Sequence, residues 1–168
     1  MLEMISDACA LSNSYGETIM KNSKVFVAGH KGLAGSALVR RLKSKEYSNI
    51  ITIDRSQLDL RNSKEVQNYF EKERPDWVFI AAAKVGGIKA NMDYPVDFLL
   101  DNLQIQNNLI QASHKNDIQK LCFLASNCFY PVDAKMPLEE KSLLTGPIQE
   151  TNEAYAIAKI AGAKLCQA

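Results

Sequence analysis

Metal-ligand and disulfide chemistry have little to work with in this sequence. Its 168 residues hold four cysteines, Cys9, Cys122, Cys128 and Cys166, and no two form a CxxC pair. That spacing fits neither a zinc site nor a small disulfide scaffold. The two histidines, His30 and His114, are too scattered to suggest a metal centre, so no metal is expected. No apolar run approaches the roughly 20 residues of a spanning helix. Charge of one sign is lacking too: 20 basic and 19 acidic residues leave a net charge of +1, which gives no general pull toward nucleic acid or a membrane. Cysteines in no disulfide-scaffold pattern make a reducing, cytoplasmic setting the expectation. Residues 1–23 lack the basic start and clean apolar stretch of a secretory signal. They are expected to be a poorly ordered extension, with either Met1 or Met20 as the native start.

What the chain has is alternation. From residue 24 onward, short apolar runs alternate with helical patterns. Residues 24–28 (KVFVA), 49–54 (NIITID), 76–81 (DWVFIA) and 120–125 (KLCFLA) read as strands. Helices are expected over 33–45, over 63–72 with Ser63 as N-cap, and over about 96–116 with Leu99, Leu103, Leu109 and Ile110 inward. Residues 126–150 read as a long loop, and a last helix starts near 151–153. Cys122 is expected in the core, and Cys166 is expected to pack on the last helix. Strands that are apolar throughout belong to a sheet covered on both faces. The βαβαβαβα order therefore gives an α/β fold, a Rossmann-type doubly wound parallel sheet.

The first strand runs into Gly29-His30-Lys31-Gly32-Leu33-Ala34-Gly35, a GxxGxxG that opens a helix. One glycine permits a tight turn, one lets backbone approach a pyrophosphate, and one packs helix against strand, while the free N–H groups of the helix face the phosphates. The spacing departs from the usual GxGxxG, but the strand-to-helix context supports a dinucleotide loop. His30 is read as a turn residue at the edge of that site. At the end of the second strand stands Asp54-Arg55. An acid there would bind the ribose hydroxyls of NAD, and an arginine would pair with the 2′-phosphate of NADP. Both candidates are present; Lys31 supplies a second cation, which favours NADP(H) and an Arg55/Lys31 clamp. Asp59-Leu60 follows, where the acid could bond an adenine amine.

Tyr155-Ala156-Ile157-Ala158-Lys159 is a YxxxK on the last helix, and an i, i+4 spacing puts phenol and ammonium on one face. A neighbouring Lys⁺ and a positive nicotinamide ring would lower the tyrosine pKa and let it pass a proton to a carbonyl oxygen as hydride arrives. Ser126, at the end of the fourth strand, could bond the same oxygen. The order glycine loop, Ser, Tyr, Lys matches the short-chain dehydrogenase/reductase superfamily.

Four segments, VFVAGHKGLAGSALVRRL, AAAKVGGIKAN, the Asn-Cys-Phe-Tyr-Pro after Ser126, and TNEAYAIAKIAGAKLC, resemble the GDP-L-fucose synthase family over about residues 24–168. The resemblance implies an enzyme that epimerises C3 and C5 of GDP-4-keto-6-deoxy-D-mannose and then reduces its C4 ketone with NADPH. It implies that Cys128, with a histidine, is the acid–base pair of the epimerisations. Ser126, Tyr155 and Lys159 would serve the reduction, and Leu124, Ala125, Ser126, Asn127 and Lys159 would line the cofactor. Asn127 departs from the family pattern, which has a second serine there. The resemblance also implies that the partner histidine, the later strands and the nucleotide-sugar domain lie beyond residue 168. On that reading residues 24–168 form an incomplete NADP-binding Rossmann domain, C-terminally truncated, with most of the GDP-sugar site absent. Such a chain is expected to be poorly stable and without epimerase activity alone; the full-length protein is expected to be a homodimer through the helices near 96–116 and 152–168. Two rivals are an NAD-dependent sugar-nucleotide 4,6-dehydratase or 4-epimerase relative, against which Cys128 and AAAKVGGI speak, and a non-catalytic dinucleotide-binding module.

Overall fold

The structure, a computed structural model, describes residues 20–168. The expected extension over residues 1–23 lies mostly outside the described residues, as does Met1 of the two candidate starts. Four strands, β1 (Val25–Ala28), β2 (Ile50–Ile51), β3 (Trp77–Ile80) and β4 (Lys120–Phe123), form one sheet in the order β2-β1-β3-β4, with every neighbouring pair parallel. The register sets Val25 opposite both Ile50 and Trp77, and Trp77 opposite Lys120. Among the described residues five helices connect or flank the strands: α1 (Leu33–Ser44), α2 (Ser63–Glu73), α3 (Ile88–Asp93), α4 (Pro95–Lys115) and α5 (Glu153–Gln167). This is the expected parallel α/β sheet.

Side chains alternate between the faces of a strand, and the two halves of the core follow that rule. Phe26, Ala28, Val78 and Ile80 meet Val66 and Phe70 of α2 and Leu109, Ile110 and Ala112 of α4 on one face. Val25, Val27, Trp77, Phe79 and Cys122 meet Leu42 of α1 on the other, with Leu38 and Val39 packed alongside. β1 and β3 are buried along their whole length, which is why their sequences show no polar alternation.

Several expectations need correction. β2 is shorter than 49–54, because after Ile51 the chain leaves the ladder and the Asp54 carbonyl opens a turn, accepting from the N–H groups of Gln57 and Leu58 at 2.9 and 3.0 Å. Asn62, not Ser63, caps α2. Its backbone is extended, its Oδ1 accepts from the Glu65 N–H at 3.2 Å, and its Nδ2 donates to the Glu65 carboxylate at 2.8 Å. Asn62→Ala should therefore cost about 1 kcal/mol and Ser63→Ala close to nothing, as read by urea denaturation. Leu109 and Ile110 of α4 are buried as expected, but the rest of its inward row is Phe98, Asn102 and Gln106, one position from the expected Leu99 and Leu103, which are half-buried. Cys122 lies in the core as expected, but Cys166 is exposed. The 3₁₀ turns over Asn127–Phe129 and Glu140–Ser142 lie within the stretch read as loop, and a short helix, α3, occupies residues for which no element was expected.

Parallel pairing aligns the strand ends, so the segments that follow all four strands emerge along one edge of the sheet. Ligands of open α/β sheets bind at that edge, where strand order reverses. The reversal here falls between β1 and β3.

Candidate functional site

The turn after β1 is built on close backbone approach. Gly29 has φ +85°, and a Cβ there would lie 2.5 Å from the Ala82 nitrogen. A Cβ on Gly35 would lie 2.2 Å from the Gly29 carbonyl oxygen, so α1 can press on the turn only without a side chain there. Gly32 is different. Its φ is an ordinary −72°, and the nearest atom to an added Cβ is 3.4 Å away. Neither backbone strain nor crowding explains it, whereas room for a ligand would. Gly32 caps α1 with no side-chain bond, the first turn carries no acid, and Leu33 is 93 % exposed. Uncapped N–H groups with the positive dipole end behind them suit a phosphate, so this cradle fits the pyrophosphate of a dinucleotide.

At the neighbouring strand end, Asp54 Oδ1 pairs with Lys31 Nζ at 2.8 Å and lies 3.3 Å from His30 Nε2. Lys31 first, then His30, hold the Asp54 carboxyl below its usual range against the opposing effect of burial. Lys31 is thus engaged with Asp54, and Arg55 is exposed beside them. Asp59 is bound by Arg61 through its backbone N–H, Nε and a terminal nitrogen, which hold its carboxyl down to about 2. Arg61 also reaches Asp101 of α4 at 3.2 Å. The carbonyl of Leu60 accepts from Asn108 at 2.9 Å.

The second cluster lies at the ends of β3 and β4. A cleft of about 260 Å³ is lined by Val85, Gly86, Asn91, Phe98, Ser126, Asn127, Cys128, Asn152 and Tyr155. Ser126 caps the 3₁₀ turn, and its Oγ accepts from the Cys128 thiol at 3.1 Å and, more weakly, from the Cys128 N–H at 3.5 Å. With its acceptor sites turned to Cys128, the Ser126 O–H is the part left to donate. Lys159, 3 % exposed, donates from Nζ to the Leu124 carbonyl at 2.8 Å, and the same Nζ is 5.8 Å from the Tyr155 ring centre. Burial pulls the Lys159 ammonium down to about 8, while a negative charge on Cys128 acts the other way. Burial first, and Cys128 second, push the Tyr155 phenol up from its ordinary value. The lowering expected from Lys159 is not what this protein alone shows, because that ammonium is turned onto Leu124.

The structure thus brings Ser126, Asn127, Cys128 and Tyr155 to one cleft with Lys159 behind them. It gathers Gly29–Gly35, Asp54 and Arg55 at the adjoining strand ends, with Asp59 and Leu60 beyond. Ala125 is exposed between β4 and the cleft. Among the described residues no group of His, Cys, Asp and Glu could hold a metal ion. No described helix is long and apolar enough to cross a membrane.

A family model for the NAD dependent epimerase/dehydratase family matches residues 25–168. The chain belongs to that family. Its epimerase/dehydratase relatives include GDP-L-fucose synthase 1 of Arabidopsis thaliana, 50 % identical over 148 residues, and GDP-L-fucose synthase of Escherichia coli K12, 49 % identical over 148 residues. Each alignment covers 88 % of this chain and 46 % of the relative, so the chain spans somewhat under half the length of these curated relatives. Among solved structures, the GDP-mannoheptose C4 reductase MlghC of Campylobacter jejuni, with NADP bound, superposes with a TM-score of 0.85 at 41 % identity, covering 89 % of this chain and 47 % of that one.

Within this epimerase/dehydratase frame, sequence reading missed five residues of the cleft wall: Val85, Gly86, Asn91, Phe98 and Asn152. The AAAKVGGIKAN segment held a signal for Asn91. Phe98 could have been found from Gly86, where a Cβ would lie 2.8 Å from the Phe98 ring.

Proposed function

We propose that this chain is the dinucleotide-binding part of a GDP-L-fucose synthase, an NADP-dependent epimerase/reductase that converts GDP-4-keto-6-deoxy-D-mannose to GDP-L-fucose. The observation that carries this reading is the meeting of Ser126, Cys128 and Tyr155 in one uncharged cleft beside the phosphate cradle. A proton donor, a thiol and a hydroxyl around one small space suit chemistry at a ketone and at the carbons next to it. When bound, NADPH supplies the hydride. The Tyr155 phenol gives its proton to the ketone oxygen, and Ser126 steadies that oxygen through its O–H. Lys159 lies behind Tyr155, where it can reach a ribose hydroxyl. Cys128 is the group that takes and returns the proton next to the ketone. Neither His30 nor His114 lines the cleft, so this chain brings one member of an acid–base pair. We expect it to bind cofactor without epimerising.

Charge supports NADPH over NADH. Asp54 is already paired with Lys31 and His30, which leaves no free acid for a 2′-hydroxyl, and Arg55 adds a positive charge beside them. A dianionic 2′-phosphate would complete that set. Titration of the purified chain, followed by nicotinamide fluorescence, should show NADPH bound at least tenfold more tightly than NADH. Arg55→Ala should weaken NADPH by roughly tenfold or more and leave NADH unchanged. Equal binding of the two would instead make Asp54 a ribose ligand and favour a dehydratase or 4-epimerase relative.

Two further parts of the reading concern the whole protein. Val96, Leu100, Ile157 and Leu165 are exposed apolar side chains on α4 and α5, and a homodimer contact through those helices would cover them. Among the described residues, the free thiols of Cys128 and Cys166 suit a reducing cytoplasm.

A further inference from the structure

Three polar side chains on or beside α3, α4 and α5 hold a buried acceptor oxygen that has no partner among the described residues: Asn91, Gln106 and Asn152. Gln106 lies between helices, where its Nε2 donates to the Ala158 carbonyl at 2.6 Å. The other two line the cleft of Ser126, Cys128 and Tyr155. Asn91 is 7 % exposed, and its orientation is fixed. Its Nδ2 donates to the carbonyls of Gly86 at 3.2 Å and Gly87 at 3.1 Å. A flipped amide would set an oxygen against two carbonyl oxygens, so Oδ1 is the atom left over. Asn152 is the N-cap residue of α5, a position where an asparagine side chain ordinarily accepts a bond from the first turn. Here it makes no cap bond, and its oxygen is buried without a partner. Buried acceptors in native proteins are nearly always met, so two in the wall of one cleft point to a ligand that donates.

We infer that Asn91 and Asn152 are hydroxyl acceptors for a hexopyranose seated in this cleft. The inference rests on reading the cleft as a keto-sugar site and adds the way the ring is turned. Carboxamide oxygens accept, so they select hydroxyl groups and reject a carbonyl. Ser126 and Tyr155 carry the O–H donors, so the ketone oxygen goes to them and the ring hydroxyls go to the asparagines. None of the lining side chains is charged, which disfavours phosphate or carboxylate here. Phe98 offers an apolar face to the C–H side of a pyranose ring. Asn91 and Asn152 are thus orientation-setting residues. They hold the reacting carbon toward Tyr155 without taking part in proton or hydride transfer.

The test is a double-mutant cycle between protein and sugar. Uniformly ¹⁵N-labelled chain with saturating NADP⁺ is titrated with methyl L-fucopyranoside and with its monodeoxy analogues, following amide and side-chain NH₂ signals. The Asn91 and Asn152 NH₂ signals should move along one saturable curve. One monodeoxy analogue should bind roughly fivefold more weakly than the parent. Asn91→Ala or Asn152→Ala should lower affinity for the parent by a similar factor, yet leave affinity for the matching deoxy analogue unchanged. The Asn152 side chain makes no bond to backbone, so its variant keeps the cycle available if Asn91→Ala fails to fold. Equal losses for parent and deoxy sugars in each variant would mean a structural role only and would overturn the inference. Shifts at Ser126 and Tyr155 without shifts at either asparagine would overturn it too, while leaving the keto-sugar reading standing. If NADP⁺ binds but no cleft signal moves with any sugar, both fall together.

Discussion

Placing a methyl group on Gly35 is expected to break the cofactor site by moving a helix. The added Cβ of Gly35→Ala would sit 2.2 Å from the Gly29 carbonyl oxygen and 2.7 Å from its carbon. Both are backbone atoms of a turn that is itself pinned, because Gly29 at φ +85° lies against the backbone at Ala82. Nothing there can swing aside like the end of a side chain, so α1 must lift from β1. Such overpacking costs about 1–3 kcal/mol and more where only backbone can yield. We expect about 3 kcal/mol lost in urea denaturation and NADPH binding weakened more than about 100-fold, because the cradle depends on where α1 points. Gly32→Ala is the control that separates folding from recognition. Its Cβ meets only the Gly29 oxygen, at 3.4 Å, and its φ suits any residue. Stability should change by less than about 0.5 kcal/mol, yet NADPH affinity should fall by about tenfold as the methyl enters the space over the helix N-terminus. Wild-type binding by Gly32→Ala would show that phosphates do not approach at that glycine.

The contrast between these glycines marks what sequence could and could not say. The GxxGxxG was legible because a strand, a tight turn and a helix start are local, and each constrains a residue a few positions away. The i, i+4 spacing of Tyr155 and Lys159 was legible for the same reason. The parallel sheet followed from apolar runs that need cover on both faces. Asn91 and Asn152 were not read as site residues: the AAAKVGGIKAN resemblance marked the segment of Asn91, but Asn91 sits on a six-residue helix too short to show a period, and its amide is set by two carbonyls that only the folded turn brings near. The first half of the α4 face was misread because its inward row includes Asn102 and Gln106. Apolar periodicity passes over such residues, yet Asn102 binds Lys84 through both the N–H and the carbonyl, fixing the segment after β3, and Gln106 ties α4 to α5. Ser63 and Asn62 are both good caps in adjacent positions, and only the backbone angles choose between them. Cys166 was misjudged because α5 is nearly apolar on all sides, so composition does not tell its exposed end from its buried middle.

Lys159 shows a cost that the YxxxK spacing conceals, and removing it should make the protein more stable. Its ammonium is almost wholly buried, donates to the Leu124 carbonyl and lies 4.6 Å from the Phe123 ring centre. Burial lowers its pKa from 10.5 to about 8. At pH 7 the group is charged in both the folded and unfolded chains, so folding carries the whole penalty of burying that charge, about 3 kcal/mol for a shift of this size. As pH rises from about 8 to 10.5, the folded chain gives up its proton before the unfolded chain does, and stability rises through that window. Above it the lysine is neutral in both states. Lys159→Met keeps the length and apolar stem but leaves the Leu124 carbonyl unmet, a loss of about 1 kcal/mol. The variant should therefore gain about 2 kcal/mol at pH 7, a rise in Tm of roughly 4–8 °C for a chain of this size. Its advantage over wild type should shrink between pH 8 and 10.5 and turn into a deficit of about 1 kcal/mol at the upper end, where the neutral lysine still bonds Leu124. NADPH affinity should fall by roughly tenfold in the same variant if the ammonium reaches the nicotinamide ribose. A stabilised fold with weakened cofactor binding is what a residue kept for its site rather than for the fold would give. A variant less stable than wild type at pH 7 would mean that the Leu124 bond outweighs the burial of charge.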